Sequence, residues 1–237
     1  MLDEYLLFHY ASEDEILPTS EISYPAAMRD ALCFTRRTVA HFDRSHVARG
    51  LDLGCAVGAS TFAMAENCAS VIGVDFSHAF INAADRLRRG EVISFHRHDE
   101  AMRKTCLTTA LIDSSFCEIV SFEQGDAMNL RADLGAFDRV HAANLLCRLT
   151  RPLDLLEKFP SLVNPGGELV IATPCTWLKE FTPLQHWPAP DTFSWLRNQL
   201  EKNFVLEVST HEPFLIRETA RKFQWSLSQL TKWRRHS

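Results

Sequence analysis

The chain has 237 residues, 46% of them apolar and 23% charged, with a formal net charge of −5. That length suits one large domain with a sizeable core, and the acidic balance excludes a general nucleic-acid binder, which needs a basic face to neutralise phosphates. Seven cysteines stand singly at 33, 55, 68, 106, 117, 147 and 175, and an odd count without a CxxC argues against a disulfide framework or a zinc site, so no metal is expected.

The opening MLDEYLLFHYASEDE is apolar too briefly, and is too acidic, for a signal peptide or membrane span. A soluble cytoplasmic protein with no membrane partner is the expectation. Residues 2–10 read as a short aromatic-rich helix: Leu2 and Leu6 are four apart, with Tyr5, Phe8 and Tyr10 around them. An acidic loop with Pro18 follows. Residues 25–44 read as a longer helix, Pro25 suiting its first turn, and Ala31, Phe34, Thr38, Val39 and Phe42 sharing a face. From Arg49 strand–helix units repeat. The expected strands are 50–54, 70–76, 121–126, 137–143 and 167–173, and the helices 59–67, 78–89 and 152–162. Runs such as Val71-Ile72-Gly73-Val74 and Leu169-Val170-Ile171-Ala172 suit strands covered on both faces of a parallel sheet. Segment 91–120 is too long and too charged for a plain connection, and its role stays open. Beyond residue 174 come a proline-rich loop, a helix at 191–202, and two strand-like runs, Phe204–Phe214 and Lys222–Trp233, which should pair antiparallel. The basic end Lys232-Trp233-Arg234-Arg235 reads as a solvated terminus.

The chain is organised around Leu51–Ser60, a strand, a tight glycine turn and a helix start. Such a turn brings bare backbone against a small charged ligand. Gly54-x-x-x-Gly58 lacks the third glycine of a dinucleotide fingerprint, which disfavours NAD. Asp52, two residues before Gly54, can take the ammonium of an amino-acid ligand, directly or through water. Asp75 ends the second strand, where an acid can hold both ribose hydroxyls; Asp75 or Ser77 also suits a helix N-cap. Gly125-Asp126-Ala127 ends the third strand, where an acid and the next backbone N–H can read adenine. Together these point to S-adenosylmethionine.

These motifs resemble those of the class I S-adenosylmethionine-dependent methyltransferases: DLGCAVG, VIGVDFS, QGDA and NPGGELV stand where that family carries its glycine, acidic, third and turn motifs. The resemblance covers about 45–175. It implies an α/β, Rossmann-like, doubly wound seven-stranded sheet of order 3-2-1-4-5-7-6 with the last strand antiparallel, and S-adenosylmethionine over the carboxyl ends of strands 1 to 4. The cofactor contacts it suggests are Arg37, Asp52, Gly54, Cys55, Ala56, Gly58, Asp75, Phe76, Ser77, Asp126, Ala127 and Asn144. A closer resemblance spans nearly the whole chain. EYLLFHY, LDLGCAVG, DFSHAFINAA, HAANLLCRL, TWLKEFTP and PFLIRETARKFQWS look like the ovothiol-pathway 4-mercaptohistidine (5-thiohistidine) N1-methyltransferase family. One departure is Cys175, where an aromatic is expected. The resemblance implies methyl transfer to a ring nitrogen of thiohistidine, and a sulfoxide synthase as possible partner. Alternatives are another small nitrogen or sulfur nucleophile, or a catalytically silent cofactor-binding partner of a synthase.

One domain is expected, with residues 1–45 as an N-terminal helical lid, 46–175 as the cofactor core, and 176–237 as the substrate loop and closing strands. The acceptor carries a carboxylate, an ammonium and a thiolate, so cations and aromatics should converge on it. Asn144, past strand four, is the first choice for the reacting edge, its side-chain oxygen holding an imidazole N–H; an N-cap is its other reading. Cys147 and Arg148 lie one turn on, and Arg148 can bind a carboxylate. Arg217, with Phe214 and Arg221, sits where the last strand pair returns to the cofactor side, and Arg217 is the preferred carboxylate partner. Trp177 should wall the pocket. Tyr5, Phe8, His9 and Tyr10 form the lid, with His9 a candidate proton relay and Arg37 a candidate for the cofactor carboxylate.

Overall fold

A computed structural model describes residues 1–18 and 23–237. The first helix, α1 (Leu2–Tyr10), forms as expected, with Leu6 and Leu7 buried. The acidic loop is partly helical: Ser12 and Glu15 close a reciprocal capping box that starts the single turn α2 (Glu13–Ile16). Residues 19–22 of that loop lie outside the described residues. The long helix expected over 25–44 is two short ones, α3 (Ala26–Arg29) and α4 (Phe34–Val39). Cys33, at φ +55, turns the chain left-handed between them.

The strand–helix repeat follows: β1 (Val47–Leu53), α5 (Ala59–Ala65), β2 (Cys68–Asp75) and α6 (His78–Arg88). The segment left open is a separate antiparallel hairpin, β3 (Ser94–Glu100) with β4 (Arg103–Thr108). Next come β5 (Val120–Gln124) and β6 (Phe137–Ala143). One expected helix is again two, α7 (Pro152–Leu156) and α8 (Phe159–Leu162). Pro160, in the first turn of α8, cannot continue a preceding helix. The chain closes with β7 (Val163–Thr173), α9 (Thr192–Leu200), β8 (Phe204–Arg217) and β9 (Phe223–Arg235).

Seven strands make one sheet in the order β5-β2-β1-β6-β7-β9-β8. Counting only its members along the chain, this is 3-2-1-4-5-7-6. The first five are parallel, and β9 runs antiparallel to both β7 and β8. Alternate residues of β7 feed opposite cores, as a doubly covered strand requires. Val170 and Ala172 join Leu6, Phe34, Phe62 and Phe80 on the face of α1, α4, α5 and α6, while Leu169 and Ile171 join Leu155, Phe159, Leu196 and Trp233 on the face of α7, α8 and α9. β7 meets β9 only over 168–173, so β8 and β9 run on past the end of β7, toward the carboxyl ends of the parallel strands. This overhang and the β3–β4 hairpin flank the lid.

Candidate functional site

The glycine turn between β1 and α5 is tight because its surroundings leave no room. A Cβ at Gly58 (φ +92) would lie 2.6 Å from the Phe122 ring, and one at Gly54 (φ +71) would lie 3.0 Å from Leu145. Left-handed backbone and close approach both demand glycine there. The same contacts place the Asn144–Leu145 corner, after β6, against the loop.

Asp75 ends β2 beside this loop. Its Oδ2 accepts from the Ala56 N–H at 3.0 Å and its Oδ1 from the Ser77 N–H at 2.8 Å. Each oxygen has a second lone pair to offer, which suits two ribose hydroxyls. Burial raises the Asp75 pKa, against the two N–H bonds, and nearby Asp52 adds to the rise. Phe76 follows with its ring 74% exposed, an apolar face beside the acid. Ser77 does cap α6, accepting from the Phe80 N–H. Asp126 folds its own turn, accepting from the Met128 N–H at 2.8 Å, and Ala127 packs beneath it.

Asp52 corrects the expectation placed on it. It is 1% exposed. Oδ2 accepts from the Ser60 and Thr61 hydroxyls at 2.6 and 2.7 Å, and Oδ1 faces His141 Nδ1 at 2.8 Å. Burial opposes its charge, yet His141 and the two hydroxyls hold its pKa below the ordinary carboxylate range. The other nitrogen of His141 contacts the Thr38 hydroxyl at 3.0 Å. Asp52 therefore braces the loop from beneath, tying β1 to α4, α5 and β6, and is not exposed to take an ammonium directly. Cys55 is fully buried, so this residue offers a ligand backbone only; burial first, then Asp52 and Asp75, push its thiol pKa well up.

The lid lies on this cradle. The Tyr10 hydroxyl donates to the Val57 carbonyl at 2.6 Å. Tyr5 stacks on Phe80 with ring centroids 4.4 Å apart. Its pKa is raised by burial and then by Asp75, against Arg148. Arg148 is exposed, its guanidinium 4.6 Å from the Phe181 ring centre. His9 does not suit a proton relay near pH 7. Burial lowers its pKa to about 4, although Asp52 pulls upward, and its buried Nδ1 has no hydrogen-bond partner among the described residues.

Several expected substrate contacts lie elsewhere. Arg217 is 5% exposed; it donates to the Ile16 carbonyl at 2.6 Å and to Asp99 at 3.1 Å. Asp99 also accepts from Arg97 and Thr105, and Arg97 donates to the Glu15 carbonyl at 2.6 Å. The hairpin and the β8–β9 overhang thus latch the chain at Glu15–Ile16, between lid and core. Arg37 is spent on Glu212 and on the carbonyls of Leu32 and Pro213. Phe214 packs behind the lid against Phe34 and Phe8. Trp177 packs edge-on against Trp195 and donates to Thr192. Cys147 is buried, which raises its thiol pKa. Arg221 is exposed at the β8–β9 turn. The sequence reading missed His141, Ser60, Thr61 and Ser228. A histidine inside the strand FDRVHAA is the one local signal that was there to use.

A left-handed glycine loop, an open acid at the end of β2 and an aromatic lid fit S-adenosylmethionine as cofactor, and with this topology they define a class I methyltransferase site. A family model described as a methyltransferase domain matches residues 26–197. The chain belongs to that family and is an S-adenosylmethionine-dependent methyltransferase. A comparison with curated proteins finds no match. Among solved structures, the chain is similar to the N-methyltransferase NodS of Bradyrhizobium japonicum WM9 in complex with S-adenosyl-L-homocysteine, at 16% identity and TM-score 0.56, over 100% of this chain and 99% of that one. It is also similar to the YcgJ protein of Bacillus subtilis, at 10% identity and TM-score 0.57, over 86% of this chain and 98% of that one. The [4+2]-cyclase SpnF is matched as well, at 15% identity and TM-score 0.57, over 85% and 80%. At such identities the likeness shows the fold, and a cyclase among the matches shows that the fold does not choose the acceptor. Among the described residues no helix is long and apolar enough to cross a membrane.

Proposed function

We propose that this protein methylates a ring nitrogen of 5-thiohistidine, as in ovothiol biosynthesis. One observation carries the reading. Two segments outside the cofactor motifs that bear the resemblance, Tyr5–Tyr10 and Asn144–Arg148, both lie against the glycine loop, Tyr10 through its hydroxyl bond to the Val57 carbonyl and Leu145 through its side chain packed at Gly54. The cofactor supplies a sulfonium methyl whose transfer releases a neutral thioether, so the chain chiefly has to bring an acceptor into line. Asp75 would hold the ribose, with Phe76, Asp126 and Ala127 around the adenine, while the bare backbone of Gly54–Gly58 takes the amino-acid end. Arg148, with Arg217 committed elsewhere, becomes the partner of the acceptor carboxylate; stacking on Phe181 keeps the guanidinium plane oriented. Tyr5 covers the reacting pair. A sulfoxide synthase acting earlier in the same pathway is the proposed partner of this chain. Incubation with S-adenosylmethionine and 5-thiohistidine, read by mass spectrometry, is expected to give a product heavier by one methyl. Turnover of histidine or another amine, with none of thiohistidine, would sink this assignment.

A further inference from the structure

Asn144 is held in a way that specifies which end of its amide a ligand meets. It follows β6 directly and has φ +53, an uncommon conformation for a residue with a side chain. Its N–H donates to the Ala172 carbonyl at 2.7 Å, and its side-chain Oδ1 accepts from the Ser228 hydroxyl at 2.7 Å. Ser228 is fully buried in β9, two strands from β6 in the sheet. An amide carries its acceptor on one arm and its donors on the other. With the oxygen accepting from Ser228, the two N–H donors of the amide are left for another acceptor. This reverses the role expected of Asn144, which was to accept an imidazole N–H.

We propose that Ser228 is a positioning residue that fixes Asn144 as a hydrogen-bond donor to the acceptor molecule, and that the atom served is the thiolate sulfur. The inference rests on the thiohistidine reading. The nitrogen to be methylated must keep its lone pair free, so it cannot be the atom that takes the Asn144 N–H. The carboxylate is served by Arg148. The sulfur is the remaining acceptor, and it is also the stronger competitor for the methyl. An N–H donated to the sulfur ties up a lone pair and holds the ring in one orientation. The ring nitrogen then forms the new N–C bond as the methyl–sulfonium bond breaks, its electron pair staying with the departing neutral thioether. The proton on the other ring nitrogen passes to solvent. Asn144 and Ser228 thereby set nitrogen over sulfur selectivity.

The test is the ratio of N-methyl to S-methyl product from 5-thiohistidine, by mass spectrometry and NMR, for wild type, Ser228→Ala, Ser228→Thr and Asn144→Asp. Thermal melts confirm that each variant folds. Ser228→Ala should raise the S-methyl share about tenfold, the worth of one hydrogen bond, and Ser228→Thr, which keeps the hydroxyl, should restore the wild-type ratio. Asn144→Asp, which cannot donate when ionised, should shift the ratio further. Wild-type N-methyl product with an unchanged ratio in Ser228→Ala and Asn144→Asp would overturn the positioning alone. No methylated product from wild type would overturn the thiohistidine reading and this inference with it.

Discussion

The cofactor cradle and the lid latch both depend on carboxylates, and they use them in opposite ways. In the latch Asp99 is buried and heavily bonded, accepting from Arg97, Arg217 and Thr105. In the cradle Asp75 accepts one backbone N–H on each oxygen and keeps a lone pair free on each. A buried acid that accepts three side-chain bonds is part of the frame; an acid held only from behind, at a strand's carboxyl end, is open to a ligand. By that criterion Asp52 belongs with Asp99, although it lies in the cradle. Sequence position alone places it with Asp75.

The largest expected effect sharpens that distinction. Asp52→Ala removes the acceptor for Ser60, Thr61 and His141 at once and should cost about 3–5 kcal/mol of stability, read as a shift in the urea midpoint. A loss below about 1 kcal/mol, the worth of one ordinary hydrogen bond, would mean that Asp52 braces nothing. The latch should break more locally. Arg217→Ala leaves Asp99 with a single guanidinium and the Ile16 carbonyl unpaired, at a cost of about 3 kcal/mol. Hydrogen exchange over residues 2–18 should quicken while β1 and β2 keep their protection; equal acceleration in both would show that lid and cradle are one unit. A smaller effect is expected from His9, whose folded pKa of about 4 lies below its ordinary 6.5. The unfolded chain then binds more protons between those values, so stability is full above pH 6.5 and is lost as pH falls toward 4. His9→Phe should flatten that part of the curve in thermal melts, and an unchanged slope would place His9 in contact with solvent.

The glycine turn and its neighbouring acid were legible because their geometry is local. Backbone that must approach a ligand needs glycine, and an acid at a strand end lies within a few residues of its turn. The sheet order was legible for a related reason, since apolar strands alternating with amphipathic helices leave few topologies. The latch was not legible, because Asp99 and Arg217 are 118 residues apart and nothing near either residue marks it as paired. The orientation of Asn144 was hidden in the same way, fixed by a serine 84 residues further on. Arg217 and Arg37 misled the reading for one physical reason: a free arginine and one spent on buried carbonyls look alike in sequence. The two split helices turned on single residues, Cys33 with its left-handed backbone and Pro160 with its missing N–H.

The most direct test of the account is calorimetric titration of S-adenosylhomocysteine into wild type and Asp75→Ala. Two charge-assisted hydrogen bonds to ribose hydroxyls, at about 1.5–3 kcal/mol each, predict an affinity loss of a hundredfold or more in a ligand-free protein that still melts cooperatively. Binding of equal strength to both proteins would contradict the assignment of Asp75, and with it the division between open and framework acids on which the reading of this site stands.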